Sequence, residues 1–83
     1  LMGWQGQEQN RQLQENGGMM KAIPTDVYDK EGNMLRIDFH DGRGDFILQF
    51  LWDQNDEQTS ENRIKLREWA YKWMRDRDYE IPQ

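Results

Sequence analysis

MLRIDFHDGRGDFILQFLW, residues 34–52, reads as two strands and the hairpin that joins them. Polar and apolar residues alternate through its first third. Leu35, Ile37 and Phe39 fall on one side and Met34, Arg36, Asp38 and His40 on the other, the pattern of a strand with one buried face. Asp41-Gly42-Arg43-Gly44 is a strong hairpin signal. The return strand, Asp45 to Trp52, puts Phe46, Leu48, Phe50 and Trp52 on one face and Ile47, Gln49 and Leu51 on the other.

Upstream, Ile23, Thr25 and Val27 alternate with polar residues, and Pro24 suits only an edge strand or a strand start. Asp29-Lys30-Glu31-Gly32-Asn33 is turn chemistry, with Gly32 and Asn33 able to take positive φ. Three strands with tight turns make an antiparallel meander.

Downstream, Asp53 to Gln58 is a polar loop, Thr59 or Ser60 can cap a helix, and Glu61 suits its positive end. At 100° per residue Leu66, Trp69, Ala70 and Trp73 form a narrow apolar stripe with Met74 at its edge, leaving Ile64 and Tyr71 near the back. The helix should fade near Asp78, and Pro82 forbids continuation. Burying the stripe on the Phe46/Leu48/Phe50/Trp52 face contributes about 1.5–3 kcal/mol per large side chain. The predicted fold is α+β: a three-stranded antiparallel β-meander packed against one C-terminal α-helix. It occupies residues 21–83. Residues 1–20, with five glutamines and four glycines, read as an N-terminal arm that is flexible, or helical when docked, with only Trp4 and Leu13 able to anchor it.

A chain of 83 residues is one domain with a small core. It has no cysteine, hence no disulfide and no thiolate chemistry, which fits a reducing compartment. Its longest apolar run is far shorter than the roughly 20 residues of a membrane span, and no basic-then-apolar leader opens it. The expectation is a cytoplasmic protein.

Catalysis, cofactors and metals find little support. The single histidine, His40, shares its strand face with Asp38 and lies near Asp41 and Asp45, but nothing completes a coordination set. Asp53-Gln54-Asn55-Asp56-Glu57 resembles the start of a calcium loop, yet the required Gly and Glu would fall on Gln58 and Ile64. Gly42-Arg43-Gly44 lacks the spacing of a phosphate loop. Arg43-Gly44-Asp45 matches an integrin-binding tripeptide and reads here as hairpin chemistry. No enzyme is expected.

The formal net charge of −5 disfavours nucleic acid as a partner. The acid is concentrated in residues 21–58, net −5, whereas residues 59–83 carry +1. Arg63, Lys65, Arg67, Lys72, Arg75 and Arg77 are spread around the helix and interleaved with acids, the signature of a solvated face. Binding of nucleic acid through those cations is the alternative reading.

The leading expectation comes from a mismatch. The third strand is apolar on both faces, while the chain supplies one sure lid. The candidates to cover the rest are the N-terminal arm through Trp4 and Leu13, a second copy, or a different protein. The last is the leading expectation, with Trp4, Ile47, Leu51 and Tyr71 as apolar contacts and Asp38, Asp41 and Asp45 as an acidic rim. A small acidic inhibitor or regulatory subunit that occludes a larger protein, such as a nucleic-acid-processing enzyme, fits that pattern. A homo-oligomer built on strand edges is a further possibility.

Overall fold

The computed structural model describes residues 20–82. Six elements follow in order: β1 (Met20–Lys21), β2 (Ile23–Tyr28), β3 (Met34–His40), β4 (Phe46–Leu51), α1 (Ser60–Asp76) and β5 (Tyr79–Glu80). Strands β2, β3 and β4 form an antiparallel sheet in that order, and α1 packs on one face of it, the βββα arrangement expected from sequence.

The two outermost elements are an addition. Helix α1 starts at the Thr59 cap, whose hydroxyl accepts from the Asn62 amide. It ends at Arg77, and Asp78 takes a left-handed φ of 69°, a conformation that Asp tolerates better than most residues. The chain thereby reverses. Tyr79–Glu80 runs parallel to Met20–Lys21, and the Ala22 amide donates to the Glu80 carbonyl at 2.9 Å. Met20, assigned from sequence to the arm, is thus the first residue of a folded strand; residues 1–19, including Trp4 and Leu13, lie outside the described residues. Two-residue strands have no periodicity to read, so this pair carried no pattern.

Both hairpins use one device. Asp29 and Asp41 each accept, through Oδ1, the amides two and four residues on: Glu31 and Asn33 at 2.9 and 2.8 Å, Arg43 and Asp45 both at 2.9 Å. The glycine three residues after each Asp, Gly32 (φ 88°) or Gly44 (φ 92°), sits in the left-handed region. This is a type I turn closed by a glycine bulge. Hydrogen bonds from the Asn33 amide to Asp29, and from the Asp45 amide to Asp41, hold both carboxyls below their ordinary value of 3.8. A group with a depressed folded-state pKa stabilises the fold above its unfolded value, and that stabilisation is lost as pH falls through the folded value. The urea midpoint should therefore fall as pH drops from about 5 to about 3. The double variant Asp29→Asn, Asp41→Asn keeps both acceptor oxygens but cannot titrate, so its midpoint should fall less; an equal fall would contradict the assignment.

Two further bulges reassign faces. Between β2 and β3, Val27 pairs with Arg36 but Tyr28 pairs with Met34, so Leu35 is an extra residue. Between β3 and β4, Phe39 pairs with Leu48 but His40 with Phe46, so Ile47 is extra. One added residue shifts the side-chain phase by one. Met34 therefore joins Ile37 and Phe39 in the core, while Leu35, expected inside, is 43% exposed. Phe46, expected under the helix, is 56% exposed beside His40 on the outer face, their rings 5.7 Å apart. Ile47, expected to point outward, packs against the core.

The core joins Ala22, Met34, Ile37, Phe39 and Phe50 to Ala70 and Met74 of α1 and to Ile81. Phe39 is its centre, edge-on to Phe50 at 5.7 Å and to Tyr71 at 6.0 Å. Tyr71 thus faces the sheet, contrary to its expected place at the back, and burial raises its phenol pKa. Trp69, expected inside the stripe, sits on the helix flank edge-on to Phe50 at 5.2 Å and is 57% exposed. The stripe is centred on Ala70 and Met74, one step round from the predicted one. The rotated helix brings Arg67 of α1 into a 2.6 Å ion pair with Asp26 of β2, a residue on the helix-facing side of an edge strand. That hydrogen bond raises the Arg67 pKa.

Candidate protein-interaction surface

Strand β4 lies at one edge of the sheet, and among the described residues nothing pairs with its outer side. Hydrogen bonding in an antiparallel ladder alternates along each strand. The Trp52 amide donates inward to the Leu35 carbonyl at 3.0 Å, and the register pairs Phe50 with Ile37 and Leu48 with Phe39. The backbone polar groups of Leu48 and Phe50 are therefore turned toward β3, and those of Gln49 and Leu51 are directed to the open edge.

Natural edge strands are usually protected by a lysine, a proline or an inward charge. Strand β2, at the other edge, has Pro24 and the Asp26–Arg67 pair. Residues 46–52, Phe-Ile-Leu-Gln-Phe-Leu-Trp, contain no charge and no proline. Apolar surface wraps this edge from both sides: Phe46 and Leu51 (63% exposed) on the outer face, and Trp69 over Phe50 on the helix face.

The residues expected to bind a partner separate on this frame. Leu51 stands on the open edge. Ile47 and Tyr71 belong to the domain's own core. Asp38 is half-buried and paired with Arg36 at 3.0 Å, and the Asp41 carboxylate is committed to its turn. Asp45 is exposed at the head of β4. Trp4 lies outside the described residues. Sequence reasoning missed Phe46 and Trp69, whose exposure depends on a bulge and on the helix rotation; the charge-free run 46–52 was visible, but its edge position was not used.

A second concavity lies at the far end of the sheet, an open cleft of about 240 Å³ lined by Asn33, Met34, Leu35, Trp52, Gln54, Asp56 and Gln58. Gln58, one of its lining residues, behaves as a substitute strand residue. Its side-chain Oε1 accepts from the Met34 amide and its Nε2 donates to the Met34 carbonyl, both at 2.9 Å. The Trp52 indole N–H donates to the Asp56 carbonyl at 3.2 Å. The polar groups of the cleft thus hold the capping loop to β3.

The helix cations are engaged locally. Arg63 donates to Gln58, Arg67 to Asp26 and Lys72 to Asp76. Lys65 faces Glu61 at 3.9 Å, Arg75 lies over Tyr71, and Arg77 stacks 3.4 Å from the Trp73 ring centre. Among the described residues no group of three or more His, Asp or Glu is placed to hold a metal, and no helix is long and apolar enough to cross a membrane.

No protein-family model, curated protein or solved structure matches the chain. The chemistry of the β4 edge therefore has to stand on its own.

Proposed function

We propose that this domain is a protein-binding module that docks through the open edge of β4, accepting a strand from a larger protein and occluding that protein as an inhibitor or regulatory subunit. The supporting observation is the uncharged, proline-free edge with Gln49 and Leu51 directed outward and with Phe46, Leu51 and Trp69 exposed around it. Strand addition combines main-chain hydrogen bonds, which give affinity, with alternate side chains, which give selectivity. The absence of cysteine fits work in a reducing cytoplasm. Nucleic-acid binding is the weaker reading, because each cation it would use already faces a partner within the domain.

Selection from a displayed random-peptide library on the full chain tests the proposal. Enriched peptides should alternate apolar and polar residues. Gln49→Pro removes only an outward-facing amide, a change edge strands tolerate. It should weaken the selected peptides by about tenfold or more, equivalent to about 1.4 kcal/mol, and leave the melting temperature nearly unchanged. Undiminished binding by Gln49→Pro would sink the proposal.

A further inference from the structure

Resting on that reading, we infer that the docking partner presents an uncharged apolar strand bracketed at both ends by basic residues. Both ends of β4 are acidic. Asp45 stands immediately before Phe46 and Asp53 immediately after Trp52, and both are exposed. Among the described residues neither has an ion-pair partner. Of the neighbouring acids, Asp38 is paired with Arg36 and Asp41 accepts two amides of its own turn, whereas Asp53 accepts a single turn amide, that of Asn55 at 2.9 Å, through Oδ1. Along residues 45–53 charge is confined to these two carboxylates, Asp45 and Asp53, with seven uncharged residues between them.

At about 3.3 Å per residue, a paired strand with cations about seven or eight positions apart brings one to each carboxylate. The arrangement is indifferent to strand direction, since both ends of β4 carry the same sign. It also argues against a second copy of this chain. Antiparallel pairing of two β4 strands would set Asp45 of one against Asp53 of the other, a like-charge contact at each end. Opposite charges at the rim also speed encounter, and they make the association sensitive to salt.

The probe is a peptide of about eight residues alternating threonine and valine with lysine at both ends, compared with the same peptide ending in glutamate. Both are titrated into the full chain, reading the dissociation constant and the amide shifts of residues 45–53. The lysine peptide should bind at least about tenfold more tightly, perturb the Gln49 and Leu51 amides, and lose its advantage at about 1 M salt. The double variant Asp45→Asn, Asp53→Asn keeps the local hydrogen-bond acceptors and should abolish the preference. Equal binding of the two peptides at β4 would overturn the basic-flank inference while leaving strand docking intact. Binding away from β4, or no binding by either peptide, would overturn the inference, and the library selection then judges the docking reading separately. Dimerisation through β4 would replace the inferred partner by a second copy and overturn it as well.

Discussion

Phe39→Ala is expected to remove most of the folding free energy. The ring is fully buried and touches the sheet through Phe50 and the helix through Tyr71, so its loss opens a cavity between the two layers. Truncating a buried Phe costs about 3–5 kcal/mol, against a total of about 5–15 kcal/mol for ordinary domains. A core this small belongs near the lower end of that range, because short chains bury a smaller share of their surface. The melting temperature should fall by about 15–30 °C. Leu51→Ala, at an exposed position, should change stability by no more than about 0.5 kcal/mol and serves as the control. If the two substitutions prove equally mild in urea unfolding, the core is centred elsewhere.

Gln58→Ala should be the costliest change outside the apolar core. Met34 is 1% exposed, and the Gln58 amide satisfies both its backbone N–H and its C=O. Without that side chain two buried backbone groups lose their partner, at about 1–3 kcal/mol each. The Arg63 guanidinium, which also donates to Gln58 Oε1 at 3.3 Å, loses an acceptor. Gln58→Glu can still accept from the Met34 amide but cannot donate to its carbonyl, so it should fall between wild type and alanine. Equilibrium unfolding of the three proteins decides this, and a Gln58→Ala variant as stable as wild type would mean that water replaces both bonds.

The architecture was legible because its signals are periodic or punctual. Residues 34–40 alternate, Asp29 and Asp41 open turns that end in Gly32 and Gly44, and Thr59 announces the helix it caps. What escaped was phase. Two bulged residues, Leu35 and Ile47, reverse the faces of Met34 and Phe46, and a bulge leaves no mark in an apolar–polar count, because the count assumes an unbroken period of two. The helix stripe was read from its 100° periodicity alone, which cannot see the sheet residues that Tyr71 and Trp69 meet in the fold, Phe39 and Phe50. Contacts that depend on distant residues, such as Gln58 with Met34 or β1 with β5, have no local signature at all.

The same distinction governs the candidate surface. Leu51 was found from its position opposite the helix-facing residues, and it is exposed. Ile47 was found by the identical argument and is partly buried against the core, because the argument fails at a bulge. The acidic rim shrank for a different reason: Asp38 and Asp41 are charged in the sequence but answered in the fold, which leaves Asp45 on the strand side. Charge counts give the number of carboxylates and say nothing about which ones are already satisfied.

Hydrogen exchange at individual amides of the isolated, monomeric protein tests most directly whether the outer side of β4 stands open. Leu48 and Phe50, bonded to β3, should be protected about a hundredfold or more over Gln49 and Leu51, which face outward. Uniform protection from residue 48 to residue 51 would mean that the edge is already covered, and the case for a docked partner strand would fall with it.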